Sequence, residues 1–482
     1  MMGSMEPPQL HETHISWIAL IGDRAYKALK PVRTGFLDHR SRAAREAACH
    51  RELDHNRRFA PDVYLGVLDV LEADGTPRDH LLEMRRLPAG RRLSALLGSP
   101  EAEDRVREVA REVARLHRAS PRSAAIDATG DRAHLADLWA EGWAQLRPLS
   151  RGLLEAEAVD EAAALAARYL DGRGPLLRAR VADGWIRDGH GDLLADDVYC
   201  TADGPRVLDC LAFDDRLRRG DVLADIAFLA MDLESRGHPG PAAALIDEWS
   251  RALGESHPAS LAHHYVAYRA HVRAKVAALR HAQGDPDAAA RARALHALCL
   301  ERLRRGRVRL VLVGGTPGTG KSTVAAAVGR ANGWMVLRTD VLRRDVVGPP
   351  GAHGDPYGHG RYTAAARDRV YTRLLEAAAH ELGMGGSVVL DASWSGGSHR
   401  RLARELAADL RADAVELCCL APQELARRRI AARQPGDPSD ADAAIAERMR
   451  ADFDRWDGAV EVSTDRDLDR TVAAALAAAG PA

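Results

Sequence analysis

The sequence predicts a two-part chain: an α+β region up to about residue 305, then an α/β region built on a parallel sheet with crossover helices. Three observations carry this expectation. At 482 residues the chain is too long for one ordinary core. Up to about residue 90, short β-like runs meet at tight turns around one helix, and helical spacing then dominates to about 305. Beyond 305, strand and helix alternate with the rhythm of parallel strands joined by crossover helices.

Each element follows from local pattern. Residues 14–21 alternate like a strand, Gly22-Asp23 signals a hairpin turn, and residues 24–29 return. A charged amphipathic helix is expected over 41–58, then strands over 62–71 and 80–85 around the turn at Asp74-Gly75. Val106, Val109, Ala110, Val113 and Leu116 recur at helical spacing, opening a helical stretch of about 100–180. A mixed section at about 183–235 holds the densest acidic and glycine signals of this half. Helices rich in Ala, Leu and Arg then run over about 240–305. The second region predicts strands at 308–313, 335–337, 388–390 and 415–420. Its helices are expected from Lys321, at 361–382, 398–410 and 422–433, and in the Ala-rich tail.

Composition excludes several classes. A net charge of -1 gives no reason to expect nucleic acid or an anionic membrane as a bulk partner. No apolar run approaches the roughly 20 residues that span a bilayer, and no signal-peptide pattern opens the chain. The six cysteines form no CxxC pair, so free core cysteines in a reducing compartment are expected. Together these predict a soluble, cytoplasmic protein.

The sharpest motif is Gly315-Thr316-Pro317-Gly318-Thr319-Gly320-Lys321-Ser322, lying between an apolar strand and a helix and followed by Thr323. Successive backbone N–H groups and a helix N-terminus make a concave anion site there. Lys321 reaches the outer phosphates, and the Ser322 hydroxyl can ligate Mg²⁺. Asp340 and Arg343 then form a D-x-x-R pattern, and residues 388–390 form an apolar strand that ends at Asp391.

These features resemble the small P-loop kinases, a group that includes gluconate kinase, chloramphenicol phosphotransferase and polynucleotide 5′-kinase domains. The resemblance spans residues 307–456 and implies that Asp340 orients or deprotonates an acceptor hydroxyl. It implies further that Arg343 helps place the substrate or its neighbouring carboxylate, that Asp391 sits beside Mg²⁺, and that Arg427, Arg428, Arg429 and Arg433 fall where the lid arginines close over the phosphates. Residues 438–441 resemble a segment recurring in the same group.

In the first region, His190-Gly191-Asp192-Leu193 resembles the catalytic loop of the aminoglycoside phosphotransferase and choline kinase group. That resemblance implies a bilobal protein-kinase-like fold, with a small lobe over about 13–90 and a helical large lobe over about 91–305. It makes Asp192 the acceptor of the substrate proton. Asp197 replaces the group's metal-binding Asn, and Asp209 takes the place of its strand-end aspartate that chelates Mg²⁺. Lys27 is the expected phosphate-contacting lysine, with Lys30 as runner-up, and its partner is Glu52 or Glu46. Met84 would back the adenine at the hinge. No glycine-rich loop precedes Lys27, a departure from protein kinases. Residues 26–32, 60–67 and 227–234 are similar to a bacterial family that fuses such a domain to a P-loop kinase domain, with the boundary here near 305.

The resemblance implies an ATP-dependent phosphotransferase with two ATP·Mg²⁺ sites, 1–305 and 306–482. Its acceptor would be a hydroxyl of a small polar metabolite such as an aminoglycoside, an amino sugar or a nucleoside-like compound. Two alternatives remain open at this point. One half, the N-terminal one in particular, could be a nucleotide- or ligand-binding regulatory module, or the chain could be a polynucleotide 5′-hydroxyl kinase, against which its near-neutral charge argues.

Overall fold

The computed structural model describes residues 8–33, 37–348, 359–360, 363–432 and 443–480. By packing, the chain divides into two compact units, each discontinuous in sequence. Unit 1 holds residues 1–155, 178–257 and 265–299, and unit 2 holds 156–177, 258–264 and 300–482.

Unit 1 opens with an antiparallel sheet of strands β1 (Gln9–Glu12), β2 (Ser16–Ile21), β3 (Arg24–Leu29), β4 (Tyr64–Leu71) and β5 (Pro77–Arg85), in the order β1-β2-β3-β5-β4. The β2–β3 hairpin turns at Gly22, whose φ of 58° is the left-handed conformation that glycine adopts without steric cost. Helix Arg42–Arg57 begins where the Ser41 side chain accepts the Ala44 N–H. Its Leu53 packs with Ala60, Val63, Tyr64 and Leu82 to form the core of this lobe. The strand expected at 80–85 begins earlier, at Pro77, on the exposed end of the β4–β5 ribbon.

The rest of unit 1 is mostly helical. Helix Ala102–Ala119 buries Val106, Val109, Ala110, Val113 and Leu116, the stripe its sequence spacing predicts. The mixed section forms two small ribbons: β6 (Ile186–Asp188) with β9 (Arg219–Asp221), and β7 (Val198–Thr201) with β8 (Gly204–Val207). Helix Val222–Ser235 follows and is buried from Val222 through Leu233, which places even its carboxylates in the interior.

Unit 2 is a parallel five-stranded sheet in the order β11-β12-β10-β13-β14. The strands are β10 (Arg309–Gly314), β11 (Met335–Arg338), β12 (Val388–Asp391), β13 (Asp413–Leu420) and β14 (Val460–Ser463). β10 and β12 are buried throughout, as parallel strands covered on both faces must be. The edge strand β14 goes beyond the sequence prediction, because four residues with two exposed positions carry too little pattern to read.

Sequence order alone gives one boundary near 305, whereas packing assigns helix Ala156–Gly172 to unit 2. The fully buried Arg173 donates to the carbonyls of Leu382 and Leu410, and Arg168 pairs with Asp413 at 2.8 Å. All six cysteines are free and buried. Among the described residues no helix is long and apolar enough to cross a membrane.

Candidate active sites

The unit 1 site is built where β3, helix Arg42–Arg57 and the loop after β8 converge. Period-two geometry places Ala25, Lys27 and Leu29 on one face of β3, and the Lys27 Nζ donates to Glu52 Oε1 at 2.6 Å. Asp209 Oδ1 lies 3.5 Å from the same nitrogen. Burial opposes the charge on Lys27, but the Glu52 and Asp209 carboxylates outweigh it and hold its pKa above the usual lysine range. The runners-up are engaged elsewhere: Lys30 donates to Glu12 at 2.5 Å, and Glu46 lies near Arg42 and His80.

Asp192 stands on the loop after β6, and that loop is pinned by a residue two helical segments away. The backbone N–H groups of His190 and Gly191 donate to the two oxygens of Asp225, at 2.7 and 2.8 Å. His117 Nε2 adds a third contact at 3.1 Å, while its Nδ1 accepts the Trp249 indole N–H at 3.0 Å. That acceptor role leaves the ring proton on Nε2, pointing at Asp225. Burial alone would raise the pKa of Asp225, yet the His117 hydrogen bond and nearby positive charge hold it well below the usual carboxylate range. The Ala195 N–H donates to Asp232 on the same helix at 2.9 Å.

Asn56 couples the helix to the loop after β8. Its Oδ1 accepts the Cys210 N–H at 2.7 Å, and its Nδ2 donates to the Glu52 carbonyl. Asp209 sits at φ 61°, uncommon for a residue other than glycine, and its N–H donates to the Tyr64 hydroxyl. Burial raises the pKa of Asp192, with Arg273 opposing. Burial and then the charges of Asp209, Asp192 and Asp196 push Asp197 well above its ordinary value.

Crowded acidic groups of this kind fit a divalent cation, which would relieve their repulsion. Among the described residues no group of three or more His, Cys, Asp or Glu is arranged to hold a metal by itself. Mg²⁺ typically uses only one or two carboxylates and completes its shell with phosphates and water. Lys27, Glu52, Asp192 and Asp209 line one cavity of about 420 Å³ together with Asp38, His39 and Phe213. Asp197 and Met84 are not among its lining residues; Met84 is half-buried against the Leu53–Leu82 cluster.

In unit 2, β10 runs into the loop Gly315–Gly320, and helix Lys321–Asn332 starts directly after it. Gly318 has φ 83°, and a Cβ there would lie 2.5 Å from the Ala426 carbonyl oxygen, so only glycine fits. Thr319 closes the loop by donating to the Thr316 carbonyl at 2.8 Å. Lys321, Ser322 and Thr323 line a cavity of about 410 Å³ with Arg338, Arg429, Thr464 and Arg466.

Asp391 ends β12 and is 3% exposed. Burial raises its pKa, with Lys321 and the Ser322 hydroxyl tempering the rise. Its Oδ2 accepts Arg338 Nε at 3.0 Å, whereas the buried Oδ1 has no hydrogen-bond partner among the described residues. A buried carboxylate oxygen left open beside a phosphate loop fits a cation ligand. Asp340 and Arg343 bond each other at 2.8 Å across one turn of helix Thr339–Val347.

Of the candidate lid arginines, Arg429 reaches the loop: it lies 3.5 Å from the Gly318 carbonyl and donates to Thr464. Arg427 lies near Glu447, and Arg428 is exposed. Arg433 and residues 438–441 fall outside the described residues.

Sequence reasoning missed His117, Trp249, Asn56, Arg338 and Thr464. Their contacts span up to 154 residues, and no local spacing marks them.

A lysine–glutamate pair facing two aspartates in unit 1 and a phosphate loop in unit 2 define an ATP-dependent phosphotransferase, a small-molecule kinase. The family model described as the phosphotransferase enzyme family matches residues 24–264, and one described as an AAA domain matches residues 310–456. An uncharacterized protein of Mycobacterium tuberculosis and another of Mycobacterium bovis are each 38% identical over 471 residues, covering 96% of this chain and 93% of theirs. The chain belongs to the phosphotransferase enzyme family and carries a P-loop domain fused behind it.

Among solved structures, a choline/ethanolamine kinase family protein from Mesorhizobium loti is 17% identical, covers 63% of this chain and 94% of its own, and has a TM-score of 0.39. A gluconokinase from Sinorhizobium meliloti is 20% identical, covers 36% and 90%, and has a TM-score of 0.28. Both likenesses are too distant to bear on the substrate.

Proposed function

We propose that both units bind ATP·Mg²⁺ and that each transfers the γ-phosphoryl group to a hydroxyl of a small polar metabolite, such as an aminoglycoside, an amino sugar or a nucleoside-like compound. The observation that carries this reading is the Lys27–Glu52 pair at 2.6 Å, which lines one cavity with Asp192 and Asp209. A lysine held charged by a carboxylate is suited to hold phosphate oxygens, and Asp192, on a loop anchored by Asp225, is suited to accept the proton of an attacking hydroxyl.

In unit 2, Lys321 and the backbone N–H groups of the loop would hold the phosphates, with Arg429 alongside. Asp340 would take the proton, positioned by Arg343. Mg²⁺ would be held by Asp209 and Asp197 in unit 1 and by Ser322 and Asp391 in unit 2, where it neutralises phosphate charge. The protein's own contribution is position and fixed charge, with no covalent intermediate.

The test is phosphate transfer from labelled ATP to a panel of hydroxylated metabolites by the full chain. Asp192→Ala and Asp340→Ala should each remove a separate set of labelled products, and the double variant should remove both. Unchanged labelling in all three would refute the reading. Retention of every product in Asp192→Ala alone would make unit 1 a binding module.

A further inference from the structure

We propose that Arg273 is a catalytic residue of the unit 1 site, its guanidinium binding the oxygens of the phosphoryl group in transit. The proposal rests on the reading of unit 1 as an ATP site. Arg273 projects from helix Ala259–Ala282, half-buried, with Nη1 3.8 Å from Asp192 Oδ1. That separation is an ion pair too long for a hydrogen bond. Among the described residues Arg273 makes no hydrogen bond, so its five donors stay uncommitted beside the carboxylate that would receive the proton.

Three of the neighbouring cations are committed, whereas Arg51, exposed, lines the Asp192 cavity from the opposite lobe and Arg273 approaches Asp192 from outside that lining. Arg269, one turn earlier, donates to the Ala224 carbonyl at 2.9 Å and lies over the rings of Phe228 and Tyr268. Lys275 donates to Gln145 at 2.8 Å, and Lys27 is tied to Glu52. The loop itself offers no cation, since Leu193, Leu194 and Ala195 follow Asp192.

During transfer the acceptor oxygen bonds to the γ-phosphorus while the bond to the β–γ bridging oxygen breaks. ADP leaves with that electron pair, and the hydroxyl proton passes to Asp192. Negative charge then spreads over the three equatorial oxygens. The acceptor oxygen must lie within hydrogen-bond reach of Asp192. A guanidinium 3.8 Å from that same carboxylate therefore flanks the path of the phosphoryl group. A planar fork of donors suits two of its oxygens at once.

The test uses the full chain with Lys321→Ala, which silences the phosphate loop of unit 2, and needs no acceptor. Binding of Mg·ADP is measured with and without aluminium fluoride, a mimic of the transferring group, and slow ATP hydrolysis is followed in parallel. Arg273→Gln should bind Mg·ADP as the parent does but lose the fluoride-dependent tightening, and hydrolysis should fall on the order of a hundredfold. Arg273→Lys should recover part of both. Equal tightening and hydrolysis in parent and Arg273→Gln would overturn the proposal, as would a parent without tightening whose hydrolysis Arg273→Gln leaves unchanged. No Mg·ADP binding in the Lys321→Ala parent would overturn the unit 1 ATP site itself, and this proposal with it.

Discussion

At Glu52 a single carboxylate decides whether Lys27 is oriented. Without it, among the described residues, the ammonium keeps the 3.5 Å contact to Asp209, and the lysine is drawn toward that carboxylate. Glu52→Gln is expected to lower unit 1 ATP hydrolysis, measured in a Lys321→Ala chain, by on the order of ten- to hundredfold, the worth of one charge-assisted hydrogen bond. A rate equal to the parent's would deny Glu52 that role. Gly318 allows a second test. Gly318→Ala puts a Cβ 2.5 Å from the Ala426 oxygen at a φ of 83°, where left-handed backbone alone costs about 1–2 kcal/mol. ATP binding at unit 2 should be lost and the melting temperature should drop, and calorimetric titration would detect retained binding.

At the scale of elements, helix Val222–Ser235 acts as the pillar of the unit 1 site, because Asp225 and Asp232 hold the loop of Asp192 through backbone N–H groups. Asp225→Ala strands two buried N–H groups and the His117–Trp249 pair. The expected loss is about 3–5 kcal/mol, the cost of breaking a buried charged network by removing one partner. Urea denaturation measures it, and a change under about 1 kcal/mol would show that the loop is held otherwise.

This pillar also marks where sequence reading ends. The helix 41–58, the Val106–Leu116 stripe, the hairpin at Gly22 and the first four parallel strands were legible, because each writes its period or turn into consecutive residues. Lys27, Asp192, Asp209, Ser322 and Asp391 stood out by motif. The supports did not: Asn56 meets Cys210 across 154 residues and Arg338 meets Asp391 across 53, and such pairings come only from the fold. β14 was too short to declare itself.

At the scale of the molecule, neutral buried histidines should shape the response to acid. Burial pushes His264 and His271 down to about 3, and burial with Arg302 and Arg305 nearby pushes His263 down to about 4. Their folded pKa values lie below the unfolded value of about 6.5. Their contribution is therefore complete above about 6.5 and is lost as pH falls toward 3–4, where the unfolded chain binds protons that the fold refuses. Each such histidine should cost about 1.4 kcal/mol of stability per pH unit across that window. His271 packs against Trp139 and Trp143 with both ring nitrogens buried and, among the described residues, unpartnered, so His271→Leu should flatten the urea midpoint between pH 6.5 and 4.5. A slope identical to the parent's would exclude it as a contributor.

The interleaving of the two units constrains how the gene can be divided. A fragment of residues 306–482 omits helix Ala156–Gly172 and Arg173, so the carbonyls of Leu382 and Leu410 lose their guanidinium, and Asp413 loses Arg168. The Leu410 carbonyl, which approaches Gly172 so closely that any side chain there would collide, would be left facing solvent. Truncation libraries, two-hybrid baits and split reporters cut at that point would sever structural material from the phosphate-loop unit, and poor expression of such pieces would say nothing about the activity of the intact enzyme.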